Sequence, residues 1–242
     1  MLNDGYLYTF SQDAFEYSLR YPVQMQGLKN QIILTIIADD HPYLINGIET
    51  DLNKDPKIKI VSTATSYDAL LEQVKEHKPQ IVLLDLKMPG CEKYNFKDFI
   101  SKLKAYSDCK IIIFTSETGW VRIHRCLEIG ASAYIEKAIS LGKLKDLIHK
   151  IYSSSELMVY TAEELPQIAV SKRQGEILHY MVDGKENNEI AILLDIDIKT
   201  VQSYINEIKF KFKESLGIYS LKPRTLLLLA SKLGFGSKLA QT

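Results

Sequence analysis

Apolar residues in the first two thirds of the chain fall in short runs bounded by polar residues: Ile32 to Ala38, Ile81 to Leu84, Ile111 to Phe114 and Ala133 to Glu136. Each has the length of one buried strand. Residues with chemical capacity follow them: Asp39 and Asp40, Asp85, Thr115 and Lys137. In a doubly wound α/β sheet the carboxyl ends of parallel strands converge on one crevice, so three carboxylates, a hydroxyl and an ammonium meet there. That set suits a divalent cation and a phosphoryl group. An amphipathic stretch from Leu141 to Tyr152 closes this region, and Ser153-Ser154-Ser155 marks a boundary.

From Val170 onward the periodicity is helical. Ser171 caps a helix that runs through Val182, Asp183-Gly184 stops it, and Asn188-Glu189-Ile190-Ala191 begins a second that ends near Asp195. After Ile196-Asp197-Ile198, Lys199-Thr200-Val201 opens a third, with Val201, Ile205, Ile208, Phe212 and Leu216 on its apolar face. Helix, tight turn and longer helix form a helix-turn-helix, whose second element can enter a major groove.

Composition agrees with two domains. The 242 residues are 46% hydrophobic and 25% charged, enough for an ordinary core in each of two units. The division predicted is an N-terminal extension at 1–30, an α/β domain at 31–152, a linker at 153–168 and a helical domain at 169–242. The start, Met1-Leu2-Asn3-Asp4-Gly5, lacks the features of a signal peptide, and no apolar run approaches the ~18 residues of a membrane span. A cytoplasmic protein without membrane contact is expected. Cys91, Cys109 and Cys126 have no metal-like spacing and are expected to be reduced.

The strand-end residues resemble the receiver domain of two-component response regulators. Asp40 to Asp85 spans 45 positions, Asp85 to Thr115 spans 30, and Thr115 to Lys137 spans 22, as that pattern expects. Ala38-Asp39-Asp40-His41-Pro42 is similar to the first-strand signature, and Leu84-Asp85-Leu86-Lys87-Met88-Pro89-Gly90 to the phosphoacceptor loop. The C-terminal part resembles the LuxR-type output domain of the NarL/FixJ regulators. It matches at Ser171, Arg173, Glu176, Ile177 and Leu178, at Gly184, at Asn188 to Ala191, and at Lys199, Thr200, Val201 and Ile208, with a last helix from Pro223 through Leu233. The fold implied is a five-stranded parallel-sheet receiver followed by an all-α, four-helix LuxR-type helix-turn-helix domain.

A hard cation such as Mg²⁺ takes carboxylate, carbonyl and water oxygens, so Asp39, Asp40, Asp85 and the backbone carbonyl of Lys87 make a fitting partial shell. Asp85 is the expected phosphoacceptor, Lys137 supplies charge neutralisation, and Thr115 hydrogen-bonds the new phosphoryl oxygens. By resemblance, Thr115 movement lets Tyr134, 19 positions on, rotate inward and reshape the neighbouring surface. Lys87 and Glu117 lie two positions beyond Asp85 and Thr115, where family members tune the lifetime of the phosphoryl group. Singly, an Asp after a strand is more often a helix cap or turn former and Lys137 a surface lysine; the constellation is what carries the chemistry.

Carrying over the family's DNA contacts, Gln202, Ser203 and Asn206 face base edges, while Lys199, Thr200, Lys209 and Lys211 approach phosphates. Gln and Asn pair with adenine, which points to A·T-containing half-sites in double-stranded DNA. Residues 161–242 hold eleven Lys and Arg against ten Asp and Glu, so affinity per monomer is expected to be modest. A homodimer, which phosphorylation could promote, doubles the contacts. The family commonly dimerises through the last helix, here with Leu226 to Leu229, on half-sites roughly 10 bp apart.

A sensor histidine kinase is the expected phosphoryl source, and RNA polymerase is admitted as a further partner. Three departures stand out: Ala138 where many receivers carry proline, Gln174-Gly175 in the first output helix, and a stretch from Lys211 to Leu216 about one turn longer than the pattern. The reading is a transcription regulator rather than an enzyme. Its alternatives are a phosphorylation-independent regulator acting through constitutive dimerisation or partner binding, and a phosphohydrolase with Asp85 as nucleophile. The last lacks the second Asp that such enzymes carry two positions on, where Lys87 stands.

Overall fold

β-branched runs that are apolar on both faces suit parallel strands covered on both sides by helices. In the computed structural model, which describes residues 31–162 and 165–236, the four runs form β1 (Ile33–Ala38), β3 (Ile81–Leu84), β4 (Lys110–Thr115) and β5 (Ala133–Glu136), while β2 (Ile58–Ala64), with Lys59 exposed, is a strand that the apolar runs did not single out. Readings that concern the first thirty residues lie outside the described part. The described residues divide into two compact units, 31–162 and 165–236.

The five expected strands are extended by one, β6 (Met158–Tyr160), which pairs with β5 inside the segment read from sequence as linker. The sheet is entirely parallel, in the order β2-β1-β3-β4-β5-β6. Three residues are too few to show a period, so β6 has no sequence signature of its own. The helices of this unit are α1 (Pro42–Leu52), α2 (Tyr67–His77), α3 (Phe96–Tyr106), α4 (Trp120–Ile129) and α5 (Leu141–Ser153). Ser66, Asn95 and Ser140 start α2, α3 and α5 by accepting backbone N–H bonds at their side chains.

One core joins alternate strand positions, Ile33, Ile37, Ile81, Leu83, Ile112, Phe114 and Ile135, to α1 and α5 through Ile45, Ile48, Leu52, Leu144, Leu147 and Ile148. Because strand side chains alternate, the intervening residues Ile36, Val82, Leu84, Ile111, Ile113 and Tyr134 face the other way and are equally buried. Strand order reverses between β1 and β3, so Asp39 and Asp85 emerge side by side at the topological switch.

The second unit is all helix: α6 (Lys172–Val182), α7 (Asn187–Leu194), α8 (Ile198–Leu216) and α9 (Pro223–Lys232). Ser171 and Gln174 form a reciprocal capping box at α6, so this glutamine is a cap rather than a weakness. Asp195 is left-handed at the end of α7 (φ 52°), and Asp197 then caps α8 by accepting from the Lys199 and Thr200 N–H groups at 2.8 and 3.0 Å. The extra turn continues α8 as regular helix to Leu216, where Gly217 supplies the left-handed stop.

Lys110, which the apolar pattern does not single out, binds the end of α5. Its ammonium donates to the carbonyls of Ile151, Tyr152 and Ser154 at 2.6, 2.9 and 2.5 Å, satisfying the last turn and steering the chain toward β6. Lys110→Met, which keeps bulk but no donor, should therefore lower the unfolding free energy by about 2 kcal/mol in a denaturant titration. Amides of residues 158–160 should exchange faster in the variant.

Candidate functional site

Main-chain bonds bring the strand ends into register. The Asp39 N–H donates to Ala64, the Asp85 N–H to Ala38 at 2.9 Å, and the Lys137 N–H to Thr115 at 2.9 Å. The side chains follow: Asp39 and Asp85 are buried, at 1% and 4% exposure, and the Lys137 ammonium lies between them, 2.6 Å from Asp39 Oδ2 and 2.7 Å from Asp85 Oδ2. Burial works against the charged form of Lys137, but the hydrogen bonds to both carboxylates outweigh it and raise its pKa above the ordinary lysine value. Asp85 Oδ1 is buried and has no hydrogen-bond partner.

Asp40 stands at the mouth. His41, which in the sequence carries no role beyond its place in the first-strand signature, is part of the same cluster: its Nδ1 lies 3.0 Å from Asp39 Oδ1 and 2.8 Å from Asp40 Oδ1. One ligand atom from each of Asp39, Asp40, His41 and Asp85 fits within a 4.8 Å span. Three carboxylates, one of them with an orphaned buried oxygen, form a donor set that suits a hard divalent cation.

Glu117 is the hub on the other side. Its carboxylate pairs with Lys87 of the phosphoacceptor loop and, at 2.5 Å, with Arg122 of α4. The Lys87 hydrogen bond holds the Glu117 carboxyl below its usual pKa. The Glu117 N–H donates to Thr115 Oγ1 at 3.3 Å, and its carbonyl accepts from the Tyr134 hydroxyl at 2.7 Å. Lys87, Thr115 and Tyr134 thus meet through one residue. Tyr134 is already fully buried, so the inward position expected to follow phosphorylation is occupied here.

On α8, Lys199, Gln202, Ser203 and Asn206 are exposed, and Thr200 and Lys209 are half-buried. Lys199, Thr200 and Ser203 line a cleft with Asp197, Tyr204 and Glu207. Lys211 departs from the expected set: its ammonium donates to the Ala169 carbonyl and to Gln174 Oε1, both at 2.9 Å, and so lies against the start of α6. Thr200, about three turns before 211, lies on the Lys211 side, and its hydroxyl donates to Asp197 Oδ2 at 2.7 Å, whereas residues 199, 202, 203 and 206 share a face that 211 does not. Phe210, 62% exposed, falls on that face, and the sequence hides it because an aromatic residue in an amphipathic helix reads as core. Leu226 and Leu229 of α9 are buried, while Leu227 and Leu228 are half-buried.

Residues 35–149 match the family described as "Response regulator receiver domain", and residues 169–215 match "Bacterial regulatory proteins, luxR family". The chain is similar to the transcriptional regulatory protein LiaR of Bacillus subtilis, 29% identical over 197 residues that cover 76% of this chain and 92% of LiaR. It is also similar to the oxygen regulatory protein NreC of Staphylococcus epidermidis, 27% identical over 79% of this chain and 98% of NreC. The DNA-binding transcriptional activator EvgA of Escherichia coli is 27% identical over 78% of this chain and 97% of EvgA. Among solved structures, RcsB in a complex of two dimers with two parallel DNAs shares the fold, with a TM-score of 0.50, 22% identity, and coverage of 83% of this chain and 99% of that one.

Lys137→Met strands two buried carboxylates and should lower stability by on the order of 3 kcal/mol at neutral pH. The sign of the pH dependence follows from a folded pKa raised above 10.5. The stabilisation is complete below the unfolded lysine value and is lost as pH rises through the folded one. Denaturant titrations from neutral to strongly alkaline pH should show wild-type stability falling above about pH 10.5, with that component missing from Lys137→Met.

Proposed function

The chain belongs to the DNA-binding response regulators that join a receiver to a LuxR-type domain, and we propose that phosphorylation of Asp85 by a sensor histidine kinase switches its action on transcription. The observation that carries this reading is the state of the Asp85 carboxylate. Lys137 holds Oδ2, while Oδ1 is buried without a hydrogen-bond partner beside two further carboxylates. A buried oxygen left unsatisfied is costly, and a bound cation or an incoming phosphoryl group relieves that cost.

In this reading an Asp85 oxygen attacks the phosphorus of a kinase phosphohistidine. The O–P bond forms, the P–N bond breaks, and the imidazole nitrogen keeps the electron pair and takes up a proton. Asp39, Asp40, Asp85 and the Lys87 carbonyl are the residues that would hold Mg²⁺. When bound, the ion neutralises charge on the carboxylates and on the transferring group. Lys137 is already placed to neutralise a second oxygen, and Thr115, whose Oγ1 accepts from the Glu117 N–H, keeps its own hydroxyl hydrogen to donate in a hydrogen bond to a third. Tyr134 is inward already, so in this reading the response falls on its hydroxyl bond to the Glu117 carbonyl and not on a further rotation.

The DNA surface proposed is built on α8: exposed Gln202, Ser203 and Asn206 toward base edges, with exposed Lys199 and the half-buried Thr200 and Lys209 beside them toward phosphates. Lys211 is left out because its ammonium is held within the domain. Action as a homodimer on paired half-sites is proposed with it. The modest basic excess supports this, as does the fold shared with RcsB, a protein solved as two dimers bound to two parallel DNAs. A cytoplasmic location is proposed as well; no helix among the described residues is long and apolar enough to cross a membrane. RNA polymerase contact stays a proposal of the same rank. A phosphohydrolase would need an acid two positions after Asp85, and Lys87 there is paired with Glu117.

The test is selection of bound fragments from random duplex DNA, with and without Mg²⁺ and beryllofluoride. Enrichment of a paired motif only with the phosphoryl mimic is expected, and Asp85→Asn should abolish the difference. Equal enrichment in both conditions would overturn the phosphorylation switch and favour constitutive dimerisation. Asn206→Ala should relax preference at one base position, about 1 kcal/mol or more per site, whereas Lys199→Ala should weaken binding evenly across sequences.

A further inference from the structure

The segment after Asp85, Leu86-Lys87-Met88-Pro89, is held at both ends by one residue of α2. The Tyr67 hydroxyl donates to the Leu86 carbonyl at 3.2 Å, and the Tyr67 N–H donates to the Pro89 carbonyl at 3.0 Å. Between them, the Met88 carbonyl accepts from the Cys91 N–H at 3.1 Å. No group among the described residues donates to the Lys87 carbonyl. Three of four carbonyls in this loop are therefore tied back into the protein, and the free one is the carbonyl assigned above to the cation.

Tyr67 is itself fixed. It is 2% exposed, and its ring packs 4.2 Å from that of Phe99 and 6.3 Å from that of Tyr94. Its neighbour Asp68 takes the Tyr94 hydroxyl at 2.5 Å and the Lys93 ammonium at 2.7 Å. Gly90, left-handed at φ 87°, lets the chain turn against Tyr67 and Asp68. An aromatic ring alone would fill this space, so the hydroxyl is the feature that asks for a role beyond packing.

We propose that Tyr67 is a positioning residue for the cation site: by holding the Leu86 and Pro89 carbonyls, it sets the backbone between them so that the Lys87 carbonyl remains available beside Asp85. This rests on the phosphoacceptor reading above. The residue touches neither the ion nor the phosphoryl group. It acts by sparing the loop the loss of conformational freedom on binding, which is how a ligand's supporting partner raises affinity.

The experiment is calorimetric titration of the full chain with Mg²⁺ alone, beside phosphorylation by a small phosphoramidate at varied Mg²⁺. Tyr67→Phe keeps the ring and removes the hydroxyl. It should weaken Mg²⁺ binding about threefold to tenfold and raise the Mg²⁺ needed for half-maximal phosphorylation by the same factor, with the rate at saturating Mg²⁺ nearly unchanged. Tyr94→Phe, which loses only the Asp68 bond, should stay within about twofold of wild type. Should Tyr67→Phe fail to fold, 4-fluorophenylalanine at position 67, which keeps the ring and fills the hydroxyl's space without a donor, makes the same test. Unchanged Mg²⁺ affinity in a folded variant overturns the positioning role, as does a loss confined to the rate at saturating Mg²⁺. Wild type that neither binds Mg²⁺ nor accepts phosphate would instead overturn the phosphoacceptor reading, so the two failures are distinct.

Discussion

Two carboxylates buried at adjacent strand ends are stable together only because one ammonium lies between them. Ionised groups a few ångströms apart in a poorly solvated site repel by several kcal/mol, and desolvation adds to that penalty. Lys137 offsets both for Asp39 and Asp85 while leaving one Asp85 oxygen unsatisfied. The fold is arranged to make this possible: the reversal of strand order between β1 and β3 sets the acids side by side, and the Lys137 N–H bond to Thr115 sets the lysine backbone at the neighbouring strand end. Under the proposed phosphoacceptor role, a cation or a phosphoryl group would stabilise a site built this way, since either would satisfy the remaining oxygen.

The two loops that flank the acids are stiffened in different ways. On the β3 side, Tyr67 and the Asp68 contacts to Lys93 and Tyr94 hold the segment from Leu86 to Tyr94 through hydrogen bonds and ring packing. On the β4 side, Glu117 gathers Lys87, Arg122, Thr115 and Tyr134. Lys87 leaves the first loop and its ammonium ends on Glu117 of the second, so one ion pair joins the two loops. A hydrogen-bond network with one shared member has few ways to rearrange, which favours two discrete states over a gradual one.

The helical unit reaches its geometry by local rules. Side chains set the starts of α6, α7 and α8: Ser171 with Gln174, Glu189 reaching back to Glu186, and Asp197 onto α8. Capping of this kind fixes where a helix begins within one residue and therefore which side chains share its exposed face. The exposed face of α8 follows from Asp197 as much as from the apolar stripe beneath it.

Four of the strands, the helix-turn-helix and the meeting of Asp39, Asp40, Asp85 and Lys137 were legible in the sequence, because a period of two or of 3.6 and fixed spacings between strand ends are local properties of the chain; β2, with Lys59, Ser62 and Thr63 among its residues, was not. Other features were not legible: β6 is too short to have a period, the Lys110 ammonium answers carbonyls more than forty positions away, and His41, Tyr67 and Phe210 look like ordinary signature, core and core residues. Lys211 is the converse case, a basic residue on a recognition helix that tertiary packing turned onto Ala169 and Gln174. The sequence by itself determined which groups the protein has and which strand ends carry them. Only the tertiary structure decided which oxygen of Asp85 stands unpaired, which loop carbonyl is left open and which lysine is available, because those depend on hydrogen bonds between residues far apart in the chain.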